Sequence, residues 1–175
     1  VVFASYYILI LKGGDTYAYW HSTEVLKRIM IDDFDHFLRI INSDNSWDSF
    51  RGLFNNRTGY PMRFIFMEPE SFFVCKLLLF FNTITLGSYI SSTLILAFWM
   101  AITNWKLYIE VKKIPHLNQK WLALLFLFIP SVSFWASGVS KDTFALIFIF
   151  KIVTHIVRFL SKTNAFKLSN FLWFL

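Results

Sequence analysis

An acidic residue that directly follows two glycines is the first feature of this sequence that could carry chemistry. The stretch 12–20, KGGDTYAYW, contains Asp15 and follows it with Tyr19 and Trp20. A carboxylate in low-dielectric surroundings can act as a general base with a raised pKa, and aromatic rings can stack on a sugar. The alternative is structural, with Asp15 capping a helix that begins at Thr16 and the aromatic side chains forming an interfacial belt.

Three further charged residues could meet a phosphate or an acceptor group. Glu68 lies in the segment 67–71, MEPES, at the start of an apolar run. The helix dipole favours acids at such a position whatever their function, which is the alternative explanation. Arg63 and Lys141 could hold a phosphate, or they could simply extend their charged ends to the membrane surface.

A second charged group lies within an apolar segment. Lys151 and His155 are four residues apart, on one face of a predicted helix, and Arg158 is nearby. Ionisable residues near mid-membrane mark functional sites, so Lys151 is a candidate for one. Its long side chain could instead reach towards the membrane surface.

The composition indicates a polytopic membrane protein. Hydrophobic residues make up 56% of the 175 residues and charged residues 16%, against about 45–50% and about 25% in soluble domains. The net charge of +6 comes from basic residues beside apolar runs, so the bilayer is the expected partner and nucleic acid is not. A single cysteine, Cys75, excludes an intrachain disulfide and a thiolate metal cluster.

The apolar runs predict an all-α fold, a transmembrane helical bundle in one membrane domain that is a piece of a longer protein. Surface helices are expected over 15–41, within the first polar loop. The predicted order is the end of a span at 1–11, a loop at 12–70, an interfacial helix or short span at 71–86, transmembrane helices at 89–109, 121–137 and 143–160, and the start of a further span at 166–175.

The orientation follows from the short basic connections. Segments 110–120 and 158–167 are basic, and basic short loops belong in the cytoplasm. The hairpin tip 138–142 then faces outward. The loop 12–70 is also extracytoplasmic, provided that 71–86 lies in the membrane plane. If 71–86 crosses the membrane instead, one basic connection must lie outside.

Breaker residues predict where the helices are interrupted. Pro130 is expected to kink a span, Gly138 to supply the turn at the hairpin tip, and Asp142 to cap the helix that follows. Segment 42–61 is predicted to be a loop, in which Gly52 is one of the breakers.

Three of these segments resemble a known family. The stretch 13–20 resembles the start of the first outer loop in polytopic glycosyltransferases of the GT-C fold, such as protein mannosyltransferases and the lipid A aminoarabinose transferase. Segment 130–135, PSVSFW, together with 140–142, is similar to their outer hairpin. Segment 68–70, before an apolar helix, resembles their first-loop surface helix and a segment of bacterial exopolysaccharide polymerases.

The resemblance implies an enzyme that takes a sugar from polyprenyl phosphate at the outer face of a bacterial inner membrane. Asp15 would be the catalytic base or would organise the acceptor, which is a glycan, a lipid or a protein. Many relatives carry two adjacent acids in this loop, whereas Thr16 follows Asp15 here. No cofactor is therefore fixed, although a divalent cation is compatible with the site. The residues expected to contact substrate are Tyr19, Trp20, Arg63, Glu68, Trp135, Lys141 and Asp142.

Two other classes of function stay open. A transporter or lipid flippase would use the charges within the spans, chiefly Lys151 and His155. A non-catalytic assembly subunit would use its charges only to set topology. The enzyme hypothesis predicts instead that the acids and the lysine of the outer face converge on one cavity: Asp15, Glu68, Lys141 and Asp142.

Overall fold

The structure is a computed structural model that describes residues 10, 14–114, 117–128 and 138–162, and within these residues it is all-helical with no strand. The described chain divides into two compact units, one drawn from Val1–Leu96 and Ser137–Lys141 and the other from Ala97–Ala136 and Asp142–Leu175. The helices in chain order are α1 (Gly14–Asp32), α2 (Phe34–Ile41), α3 (Trp47–Leu53), α4 (Arg63–Met67), α5 (Pro69–Ile84), α6 (Tyr89–Val111), α7 (Gln119–Phe128) and α8 (Lys141–Lys162).

The first unit is built on the packing of α1 against α5. Helix α1 buries Val25, Leu26 and Ile29, whose three- and four-residue spacing puts them on one face. Helix α2 follows after Asp33, whose carboxylate accepts a hydrogen bond from the His36 backbone N–H at 2.9 Å. The prediction of helices over 15–41 is therefore confirmed, with a break at this N-cap.

The segment 42–61 is not a loop throughout, so that prediction is wrong. It contains α3, with Gly52 inside the helix. Ser46 caps α3 by accepting a hydrogen bond from the Ser49 backbone N–H at 3.1 Å. The ring of Phe50 packs 5.6 Å from that of Phe66 on α4. The cap and this packing offset the free energy that one glycine costs within a helix, which is about 1 kcal/mol relative to alanine.

Helix α5 starts before the predicted residue 71 because Pro69 is well suited to the first position of a helix. Its 16 residues reach about 24 Å at 1.5 Å per residue, short of a hydrocarbon core of about 30 Å. The outward face of α5 is apolar, with Phe73, Phe80 and Ile84 each more than half exposed. Whether α5 lies in the membrane plane stays a prediction.

The second unit contains α6 from Ala97 onward, α7, and α8 from Asp142 onward. Met100 and Ile147 form the centre of the contact between α6 and α8. The segments Tyr89–Val111 and Lys141–Ser161 are long and apolar enough to span a membrane, in agreement with the predicted spans 89–109 and 143–160.

One detail of the predicted hairpin needs correction, and another lies outside the described residues. Helix α8 begins at Lys141, so Asp142 lies in the first turn rather than at the cap. Pro130 and the second half of the predicted span 121–137 lie outside the described residues, and the described helix there is α7.

Candidate functional site

A hydrogen-bonded group joins three segments that are distant in the sequence. We call it the Glu68 cluster: Tyr19, Glu68, Ser71 and Lys141. The Tyr19 hydroxyl lies 2.9 Å from Ser71 Oγ. Ser71 Oγ donates to Glu68 Oε2. Lys141 Nζ lies 3.5 Å from the same carboxylate oxygen. Helix α1, the start of α5 and the start of α8 therefore meet at one carboxylate.

The direction of each hydrogen bond follows from the charge of Glu68. The hydrogen bond from Ser71 and then the Lys141 ammonium hold the pKa of Glu68 below its usual range, so it is ionised at neutral pH. An ionised carboxylate only accepts hydrogen bonds, so Ser71 gives its single proton to Glu68. Tyr19 must then be the donor to Ser71. The cluster is a relay from a phenol, through a hydroxyl, to a carboxylate.

Asp15 lies one helical turn before Tyr19 and its side chain is exposed. The helix begins at Gly14, so Asp15 lies in the first turn of α1 and not at the cap position before Thr16. Burial raises the pKa of the Tyr19 hydroxyl, opposed by the Ser71 hydrogen bond and the Lys141 charge, while the Asp15 charge raises it further. Tyr19 thus stays protonated and able to donate.

The hairpin tip approaches the start of α1 closely. A Cβ atom added to Gly138 would lie 3.2 Å from Thr16 Oγ1, and Gly138 has no positive φ. Glycine therefore suits this position because there is little space for a side chain, not because the backbone is left-handed. This contact brings the residues before Lys141 against the same turn of α1 that carries Asp15.

Replacing Gly138 with Ala is expected to destabilise the chain by about 1 kcal/mol, because overpacking at a tight contact forces a shift of the neighbouring atoms. The matched control is Gly52→Ala, since a Cβ there would meet nothing within 4 Å. That helical position should gain about 0.5–1 kcal/mol. Thermal melting in detergent micelles should show a lower melting temperature for Gly138→Ala and a higher one for Gly52→Ala than for the native chain. Equal melting temperatures would show that the contact with Thr16 is not tight.

The remaining predicted site residues lie in several different places. The side chains of Tyr19 and Trp20 are 2% and 5% exposed. Their ring faces are packed inside the first unit, so their stacking on a sugar stays a prediction. The Arg63 guanidinium lies 4.1 Å from the centre of the Trp47 ring, on α3. Asp142 belongs to the second unit, and Trp135 lies outside the described residues.

Ser71 and Thr16 are the site residues that sequence reasoning did not single out. Ser71 is 1% exposed although it lies in the first turn of an apolar helix, α5. A buried hydroxyl requires a hydrogen-bond partner, so its position three residues after Glu68 was the available signal. The sequence singles out Thr16 only as the first residue of a helix and as the residue that stands in place of a second acid after Asp15.

No protein-family model, curated protein or solved structure matches this chain. Among the residues that the structure describes, no group of three or more His, Cys, Asp or Glu side chains could hold a metal ion. A divalent cation stays a prediction, without assigned ligands, and so does the resemblance to GT-C enzymes.

Proposed function

We propose that this chain is part of an integral membrane glycosyltransferase or polysaccharide polymerase of the GT-C type. It uses a sugar donor linked to polyprenyl phosphate at the extracytoplasmic face of a bacterial inner membrane. The observation that carries the proposal is the Glu68 cluster. It joins a lysine suited to a phosphate with an acid and an aromatic residue of the first loop, one helical turn of α1 away from Asp15.

The direction of the two long helices supports a multi-pass arrangement. Lys151 Nζ lies 4.9 Å from the centre of the Trp99 ring, and further along both helices Arg158 pairs with Glu110 at 2.9 Å. The contacts follow the same order in both helices, so α6 and α8 run in the same direction. If both cross the membrane, the chain between them must cross it once in the opposite direction.

The topology then assigns a side to each end of α8. Basic residues are concentrated at and beyond the C-terminal ends of α6 and α8, in segments 110–120 and 158–167, and such segments favour the cytoplasm. Lys141, at the opposite end of α8, is accordingly extracytoplasmic. A donor carried by a membrane lipid would present its phosphate near that surface.

In the proposed reaction, the carboxylate of Asp15 accepts the proton of an acceptor hydroxyl. The acceptor oxygen forms a bond to the anomeric carbon of the sugar as the bond from that carbon to the phosphate oxygen breaks. Lys141 stabilises the negative charge that develops on the leaving polyprenyl phosphate. Glu68 holds the ammonium of Lys141 in place, and Ser71 and Tyr19 orient Glu68.

Substituting two lysines of the same helix distinguishes the three classes of function. Lys141→Met should lower sugar transfer by about 10- to 100-fold, because an electrostatic contact to the leaving group is lost. Lys151→Met should leave the chemical step intact. Both variants would be expressed at matched levels in the native membrane, with surface glycan measured as the product.

Each of the other patterns would overturn the proposal in its own way. Loss of function with Lys151→Met alone would favour a transporter or flippase. Normal glycan in both variants would favour an assembly subunit whose charges only set topology.

A further inference from the structure

A polar groove lies between α6 and α8. The proposed sugar transfer, near Lys141 at the start of α8, gives this groove no role. It encloses about 500 Å³. We call it the cationic groove. Its charged and titratable lining residues are Lys106 and Glu110 from α6 and Lys151, His155 and Arg158 from α8. All five residues belong to the second unit.

The groove carries more positive than negative charge. Glu110 is its single carboxylate and is largely buried. Its Oε1 accepts from Arg158 at 2.9 Å, and its Oε2 accepts from Lys113 at 2.7 Å. Within residues 14–114, 117–128 and 138–162, Lys106 and Lys151 form no ion pair. Two ammonium groups therefore remain to attract an anion.

The groove extends along the helices rather than across them. Trp99, under the Lys151 ammonium, precedes Glu110 by 11 residues in the sequence, which is about 16 Å along a helix. Ile102 and Ile109 also line the groove, and both are more than a third exposed. An anion held here would have apolar side chains beside it.

We propose that the cationic groove binds the phosphate of an anionic lipid from the cytoplasmic leaflet. Charge complementarity calls for a phosphate, and basic pockets between transmembrane helices on the cytoplasmic side suit lipid headgroups. The exposed isoleucines identify the source as a lipid, because its acyl chains would cover apolar walls that a soluble phosphate leaves open to water. The proposal needs the orientation of α8 but not the sugar-transfer activity.

The test uses the full chain in nanodiscs of phosphatidylcholine containing a minor fraction of phosphatidylglycerol. Native mass spectrometry counts the phosphatidylglycerol retained after extraction. The double variant Lys106→Gln/Lys151→Gln should bind it more than about five-fold more weakly, since a lysine near an anionic surface alone contributes roughly a factor of five. The matched control is Lys112→Gln/Lys120→Gln, which removes the same charge at exposed positions outside the groove. It should retain clearly more phosphatidylglycerol than the groove variant, because its two lysines do not line the groove.

Two further measurements keep the outcome unambiguous. The single variant Lys106→Gln, at an exposed position, should show about a five-fold loss and guards against misfolding of the double variant. Inorganic phosphate added to discs of pure phosphatidylcholine should not raise the melting temperature of the native chain. Equal lipid retention by the groove and control variants would overturn the proposal. A melting shift with inorganic phosphate, absent in the groove variant, would overturn the lipid as the source.

Discussion

Sugar transfer by the Asp15→Asn variant is expected to fall about 100- to 10,000-fold below that of the native chain, the usual contribution of a general base. The amide has nearly the size of the carboxylate but does not accept the proton of the acceptor hydroxyl. Because Asp15 is exposed in the first turn of α1, its replacement should change stability by less than about 1 kcal/mol. The measurement is the rate of glycan formation in membranes that contain the full-length protein at matched expression.

Asp48→Asn is the matched control for this prediction. Asp48 is also exposed in the first turn of a helix, α3, and no role in transfer is proposed for it. Both variants lose one negative charge at a helix start, so a difference between them cannot come from the helix dipole. Equal glycan formation by the two variants would reduce Asp15 to a structural residue of α1. It would remove the base from the proposed mechanism while leaving the role of Lys141 to be decided separately.

The helices most accurately predicted from the sequence are those whose signal is local. Helices α6 and α8 are expected at 89–109 and 143–160. Helix α6 begins at the expected residue and ends two residues later, and α8 extends two residues beyond both limits. A long apolar run is sufficient to predict such a helix, because no distant residue is needed to decide its length. The same holds for α1 and α2, whose apolar side chains recur with helical spacing.

The features that the sequence did not predict depend on distant contacts. Helix α3 was missed because Gly52 signals a break, whereas the packing of Phe50 on Phe66 decides the local structure. The hydroxyl of Tyr19 contacts Ser71, 52 residues away in the sequence, and helical spacing alone does not predict that contact. Periodicity shows that a residue lies on a helix face, but the partner of that face is set by the fold. The enzyme hypothesis predicts that Glu68 and Lys141 approach one cavity, but nothing local predicts the ion pair between them.

The largest stability effect is expected for Phe66→Ala, which should lower the free energy of unfolding by about 3–5 kcal/mol. Phe66 is completely buried. Its ring lies 4.9 Å from that of Phe72 on α5 and 5.3 Å from that of Phe54, with edge-to-face geometry in both pairs. Removing it leaves a cavity between α4 and α5 and breaks both aromatic contacts. Proteolysis of the unfolded form in detergent micelles, across a denaturant series, measures the loss.

Phe64→Ala separates the cavity effect from the loss of a phenyl ring as such. Phe64 lies two residues earlier on the same helix, and 55% of its surface is exposed. The same substitution there should cost about 0.5 kcal/mol or less, as for other surface changes. A destabilisation of similar size in both variants would mean that Phe66 is not packed as the structure has it. If the difference is found, the aromatic packing of α4 on α5 is what holds the chain just before Glu68, and with it the carboxylate that positions Lys141. Phe66→Ala should then also weaken sugar transfer at temperatures where the variant is still folded, although Phe66 lies outside the Glu68 cluster.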